Sequence, residues 1–458
     1  MDDNRQQIQL ELTFMEEGKG EALRPSSEGT GASVAVRAPE SPAICEYLME
    51  EVLERDNLRK ALRRVKSNKG SPGIDGMSVW QLPGYLKEHW REVRDGLVSG
   101  AYKPQPVKRV EIAKPGGGVR KLGIPTVLDR FIQQALLQVL QKCWDSTFSE
   151  HSFGFRPKRS AHQAVACAQQ HIADGYCWIV DIDLEKFFDR VNHDMLMGRV
   201  AKRVRDKRVL KLIRAFLNAG VMENGLVSPI TEGTPQGGPL SPLLSNIVLD
   251  DLDRELERRG HRFVRYADDC NVYVRSERAG RRVMESLTRF ISRNLKLKVN
   301  EAKGTVAQPW ECTFLGFSFT SGPEPKRRIA PQAIERLRGR IRELTRRTRA
   351  IGLKQMVGEL AQYLIGWKGY FGFAQTARVP KKLDSWIRRR LRCFVWKQWK
   401  RGRVRFVQLR ARGVSKDLAA QTAGSPHGPW RISCSPALSF ALPNAYFKKL
   451  GLPSLVST

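Results

Sequence analysis

Two adjacent carboxylates set between apolar strand-like runs constrain this chain more than any other feature. Asp268 and Asp269 follow Tyr266-Ala267 and separate Arg262-Phe263-Val264-Arg265 from Cys270-Asn271-Val272-Tyr273-Val274. The pattern reads as strand, tight turn, strand. Aspartate is common in solvated turns, and for a lone pair of aspartates that explanation would suffice. Here the flanking residues are apolar or aromatic, so the turn emerges from a core and holds two like charges side by side. A divalent cation relieves that repulsion, and Mg²⁺ favours one or two carboxylates completed by water and phosphate oxygens.

A second acidic position ends the apolar run 177–183. Period-two alternation puts Ile179, Asp181 and Asp183 on one face and Trp178, Val180 and Ile182 on the other. Two aspartates sharing a face of such a strand need a partner. A salt bridge to one of the many arginines is the structural option, and a metal shared with Asp268 is the chemical one. If the two acidic positions meet, the site has the parts for two-metal phosphoryl transfer.

The rest of the chain narrows the setting. It has 458 residues, 41% of them hydrophobic, enough for several domains. Lysine and arginine number 79 against 47 acidic residues, a net charge of +32 that calls for a polyanion. Nucleic acid fits, although a ribosomal or membrane-surface protein carries similar charge. Eight cysteines are scattered with no C-x-x-C pair, which excludes a zinc ribbon or a disulfide framework. The start, MDDNRQQ, is acidic and polar, and no apolar run is long enough to span a bilayer. The expectation is a cytoplasmic protein without a membrane partner.

Residues 1–42 read as a disordered tail. Leu48, Val52, Leu58, Leu62 and Val65 predict a helix from about Pro42 to Lys66, ended by Asn68-Lys69-Gly70. Two short strands around a glycine turn are expected over 107–125, and helices over 128–142 and 239–256. Beyond Pro331, Ile334, Leu337, Ile341 and Leu344 form an apolar stripe on an arginine-rich helix. Two more helices are expected, over 354–366 and 381–399. Strands and helices mix without a regular alternation, so the fold class is α+β.

Taken in order, several blocks resemble the group II intron reverse transcriptases. They are K-P-G-G-G-V-R-K-L-G-I-P (114–125), D-L-E-K-F-F-D-R-V-N-H (183–193), T-P-Q-G-G-P-L-S-P-L-L-S-N (234–246), Y-A-D-D (266–269), N-E-A-K-G (300–304) and F-L-G-F (314–317). The resemblance runs from about residue 60 to 400. It implies a right-hand polymerase with fingers, a palm built on an antiparallel sheet, and an α-helical thumb that is also the maturase domain. The expected divisions are an N-terminal extension over 43–105, fingers and palm over 106–328, thumb over 329–400, and a small, DNA-binding region over 401–458. That last stretch is too short for the nuclease found in some members.

The resemblance also implies roles. Asp183, Asp268 and Asp269 match the catalytic metal triad, holding two Mg²⁺. Asp183 is preferred to Asp181 because it stands five residues before Phe188 and ten before His193. Phe188 matches the aromatic gate against a ribonucleotide 2′-hydroxyl, and Phe187 reads as core. Lys114 and Arg120 match residues that hold the incoming triphosphate, where arginine binds bidentately. Gln236 and Gly237 match the loop against the templating pair, Lys303 a lysine near the triphosphate, and FLGF a palm–thumb packing element. In the thumb, outward cations are the RNA-binding candidates: Arg336, Arg340, Arg347, Arg389 and Lys397. The aromatics interleaved with them, Trp386, Phe394, Trp396 and Trp399, suit stacking on unpaired bases. The implied partners are intron RNA, an RNA template with a DNA primer, target DNA and deoxynucleoside triphosphates, in a bacterial ribonucleoprotein. A splicing-only maturase and a domesticated reverse transcriptase in repair or defence are the alternatives.

Overall fold

The computed structural model describes residues 47–113, 119–223, 226–229, 232–234 and 237–456, without the side chain of Arg120. The tail expected over 1–42 lies outside the described residues. The chain divides into two compact units: residues up to Ala164 with Ile179–Val306, and Val165–Trp178 with Ala307 onward. That division falls ahead of the 328/329 boundary expected from sequence.

The helix expected from Pro42 to Lys66 is two helices, Leu48–Leu53 and Arg55–Asn68, because Glu54 between them turns to extended backbone at ψ 134°. The second stops where Lys69 enters the left-handed region at φ 47°. Its buried face, Leu58, Ala61, Leu62 and Val65, packs on the helix Val127–Trp144. Polar ties fix the pairing: Asn57 Nδ2 donates to the Ala135 carbonyl at 3.0 Å, and Gln138 Nε2 donates to Asn57 Oδ1 at 2.8 Å. Thr126 caps the second of these helices by accepting from the Asp129 amide, satisfying one of its orphan N–H groups.

The strands of the first unit are β1 (Val107–Ala113), β2 (Val119–Ile124), β3 (Trp178–Ile182), β4 (Val221–Glu223), β5 (Leu226–Ser228), β6 (Arg262–Tyr266), β7 (Asp269–Val274) and β8 (Thr305–Ala307). One sheet runs β2-β1-β4-β5, and its β1–β2 hairpin is antiparallel with Ala113 opposite Val119. The other runs β6-β7-β3-β8 and carries the acidic segments. Val180, Ile182, Phe263, Val264, Val272 and Val274 are buried in it. The helices Ser241–Arg258 and Glu277–Phe290 pack on β6 and β7 respectively.

After Ala307 the second unit has a short hairpin, β9 (Phe317–Phe319) and β10 (Arg327–Ile329). Phe317 of the FLGF block packs its ring 5.4 Å from Phe371 and 5.6 Å from Tyr370. Helices Pro331–Leu344, Leu353–Phe371 and Arg378–Gln398 follow, longer than expected but in the expected places. The stretch from Gly402 to Lys449 holds five more helices. Its Leu409, Ala419, Leu438 and Phe447 join Leu337, Ile341, Leu360, Leu391 and Trp396 in one hydrophobic core. Among the described cysteines none forms a disulfide, and Cys177 and Cys434 are exposed.

Candidate active site

The β6–β7 hairpin pairs Tyr266 directly with Asp269, leaving Ala267 and Asp268 as the turn. So tight a connection needs a left-handed residue, and Ala267 supplies it at φ 58°. β3 lies beside β7, and Asp183 follows its last residue, so the two acidic segments meet at one end of the sheet. Although Asp269 keeps solvent access, the protein packed around it displaces water, and the Asp268 and Asp183 charges add repulsion. Together they push its carboxyl up to about 6, with Lys303 opposing. Burial, then Asp269 and Asp183, pushes Asp181 up to about 6 as well. The cluster therefore holds four carboxylates, including the one that sequence spacing set aside.

Asp183 is held from the segment just ahead of β8. Asn300 Nδ2 donates to its Oδ2 at 3.0 Å, and Lys303 Nζ stands 3.4 Å from the same oxygen. The Asn300 amide also donates to the Asp183 carbonyl at 2.8 Å. The charge balance stays negative, with raised carboxyls that would ionise more readily beside a cation. Hard oxygen donors crowded this way fit a divalent metal.

The turn itself is fixed by Arg265, which sequence reasoning passed over. Its side chain is fully buried and paired with the equally buried Asp253 of the helix Ser241–Arg258, at 2.7 Å from Nε and 2.5 Å from Nη2. Nη1 donates to Asn246 Oδ1 at 2.9 Å and to the Ala267 carbonyl at 2.8 Å, while Nη2 donates to Ser152 Oγ at 2.8 Å. The loop 149–156 presses on the turn from the other side. The Gly154 carbonyl accepts from Asn246 Nδ2, and a Cβ on Gly154 would lie 2.1 Å from the Ala267 nitrogen. One guanidinium thus ties together helix, loop and turn, and through the Ala267 carbonyl sets where Asp268 and Asp269 stand.

Asp183, Asp268, Phe188, Gly237 and Lys303 line a single cleft of about 1440 Å³. Phe188 is half-buried, edge-on to the buried Phe187 at 5.2 Å. Gly237 has φ 132°, and a Cβ there would meet the Gly123 carbonyl of β2 at 2.6 Å. Its lack of a side chain thus serves strand packing as well as any approach by a ligand. His193, used only as a spacing mark in the sequence, is buried, with Nε2 2.6 Å from the Gly233 carbonyl. Lys114 and Gln236 lie outside the described residues. Arg120 is described by its backbone alone, opposite Ile112 in the β1–β2 hairpin.

The cations of the second unit divide. Arg336 and Lys397 are exposed, as is Arg340, which pairs with Glu343 at 2.8 Å. Arg347 is exposed, with Nη1 3.8 Å from Cys393 Sγ. Arg389 is turned inward: its guanidinium lies 4.0 Å over the Trp430 ring and donates to the Trp430 carbonyl at 3.0 Å. The interleaved aromatics correct the stacking expectation. Phe394, Trp396 and Trp399 are buried, and Arg405 and Arg412 cover the last two at 4.7 and 4.9 Å. Aromatics at helical spacing filled the core, which gains more from their area than a solvated face would.

Residues 112–319 match the model of the reverse transcriptase (RNA-dependent DNA polymerase) family, and residues 334–413 match the group II intron maturase-specific domain. The chain carries both a reverse transcriptase domain and a group II intron maturase domain. Group II intron-encoded protein LtrA of Lactococcus lactis subsp. cremoris is 27% identical over 408 residues, covering 74% of this chain and 65% of that one. Protein YkfC of Escherichia coli (strain K12) is 38% identical over 222 residues, covering 47% of this chain and 58% of its own. The chain thus spans less than two thirds of either relative's length. The fold is the α+β right-hand polymerase type of this reverse transcriptase family, whose members depend in general on divalent metal. No helix among the described residues is long and apolar enough to cross a membrane.

Proposed function

We propose that this chain is an RNA-directed DNA polymerase that also binds a group II intron RNA, promotes its splicing and copies it into cDNA during intron mobility. The observation that carries the reading is the meeting of Asp183 with the Asp268–Asp269 turn in one cleft. In this reading the three carboxylates would hold two Mg²⁺, the arrangement used in two-metal phosphoryl transfer. Bound there, Mg²⁺ supplies the positive charge that favours an ionised primer 3′-hydroxyl and a departing pyrophosphate.

The chain's own residues do the rest. Phe188, on the cleft wall, excludes a ribose 2′-hydroxyl and so selects deoxynucleotides. Lys303, beside Asp183 Oδ2, would neutralise a triphosphate oxygen, and Lys114 and Arg120 would neutralise the same triphosphate. Gln236 and Gly237 border the templating pair. Arg336, Arg340, Arg347 and Lys397 form the RNA-facing charge of the thumb, and Arg389 supports it from within. The partners are then intron RNA, an RNA template with a DNA primer, target DNA and deoxynucleotides, in the cytoplasm of a bacterial cell.

Extension of a DNA primer on an RNA template, with Mg²⁺ and deoxynucleotides, tests the reading. Wild type extends the primer, and Asp268→Ala abolishes extension while binding RNA unchanged. A folded wild type that binds RNA and extends nothing would leave a splicing-only maturase.

A further inference from the structure

Phe155 is out of place for an ordinary phenylalanine. It is 47% exposed, and its backbone sits at φ 59°, a region that bulky L-residues avoid. Its neighbours are not loose. Gly154 is wedged against the Ala267 nitrogen, and Arg156 is buried, donating to Asp145 Oδ1 at 2.9 Å and to the carbonyls of Ser149 (2.6 Å), Ser152 (2.9 Å) and Asp145 (2.7 Å). The loop is pinned on both sides of a strained residue whose ring is left in solvent. Burial does not repay that strain, and strain held by over-determined surroundings marks functional positions.

The ring stands on the wall shared by the catalytic cleft and a second groove of about 740 Å³. That groove has Lys60, Arg63 and Arg64 of the helix Arg55–Asn68 along it, all three exposed, and no carboxylate among its described lining residues. A surface with cations on one side and an open aromatic face on the other matches a strand that offers phosphates and unpaired bases at once. A duplex base, stacked on both faces, has no free surface for the ring.

Resting on the polymerase reading above, we infer that Phe155 is a stacking platform for an unpaired nucleobase of the template, just ahead of the pair being copied, with Lys60, Arg63 and Arg64 holding the phosphates that follow. The pinned loop couples the platform to the catalytic turn, because Gly154 touches Ala267 one residue away.

The test uses the full chain and primer–template duplexes that carry 2-aminopurine at the first, second or third unpaired template position, beside a blunt-ended duplex of the same paired length. Wild type should quench the probe at one of these positions and bind the overhang duplex more tightly than the blunt one. Phe155→Ala should lose the quench and bind the overhang duplex roughly tenfold more weakly, with blunt-duplex affinity unchanged. Phe155→Trp should keep both signals. Phe155→Gly controls for folding: glycine adopts this backbone without strain, so its melting temperature should equal or exceed that of wild type while overhang binding still falls. Undiminished quenching and affinity in Phe155→Ala overturns the inference, as does equal weakening for blunt and overhang duplexes. A wild type that binds neither duplex overturns instead the polymerase reading on which it rests.

Discussion

At the scale of single residues, the site depends on a group that never touches it. Arg265 reaches Asp253, Asn246, Ser152 and the Ala267 carbonyl from a fully buried position. Breaking a buried pair by removing one partner strands the other charge, at a cost of about 3–5 kcal/mol. Arg265→Met should therefore lower the unfolding free energy from chemical denaturation by up to that amount, since the buried Asp253 left behind can take up a proton, while Asp253→Asn should cost at least as much because the stranded guanidinium cannot shed its charge. Arg265→Lys separates stability from positioning. It keeps a cation for Asp253 but lacks the planar fork that also reaches Ala267 and Asn246. In primer extension its kcat should fall by roughly 10²-fold, the scale of an ångström misplacement, with KM for deoxynucleotide little changed. Unaltered kcat in a folded Arg265→Lys protein would make the arginine a stabiliser only.

Among the elements, the instructive one is the last. The helices after Gly402 place Leu438 and Phe447 in the same core as Trp396 and Leu360. Asp384, on the long helix, also accepts from the Leu455 amide at 3.0 Å and from Ser454 Oγ at 2.6 Å. Phe447→Ala should thus destabilise by about 3–5 kcal/mol. Hydrogen exchange should speed up over 383–396 as much as over 444–449. A rise confined to the final helices would mean that they form a separate module.

The elements also show what a sequence can carry. The strand–turn–strand around Asp268 was readable because alternation and a two-residue turn leave few alternatives, and the order of the blocks supplied Asp183. Arg265 was not readable, since one arginine among so many carries no mark of burial until its partners are in place. Asn246 left a fainter trace, a polar residue inside the apolar run Leu243-Leu244-Ser245-Asn246-Ile247-Val248. The break at Glu54 had no glycine or proline to announce it. Phe394 and Trp396 were misassigned because aromatics alternating with cations describe a packed amphipathic helix as well as a base-stacking face. The short helices after residue 401 have no periodicity long enough to read, as each closes within two or three turns.

For the whole molecule, charge is the governing term. A net charge of +32 repels itself until a polyanion neutralises part of it. If RNA contacts about 6–10 cations, affinity for structured RNA should fall by roughly 10³–10⁵-fold between 50 and 200 mM salt. Filter binding across that range checks this, and a nearly flat dependence would remove phosphate contact as the source of affinity.

The shared core of the second unit also has a consequence in time. The first unit is complete once Val306 has been made, whereas the core around Trp396 waits for Leu455, about 150 residues later. At typical synthesis rates that interval is roughly 8–30 s. The two halves of the chain are therefore born out of step: a nascent protein can own its carboxylate cluster well before the helices of its second unit have closed on one another.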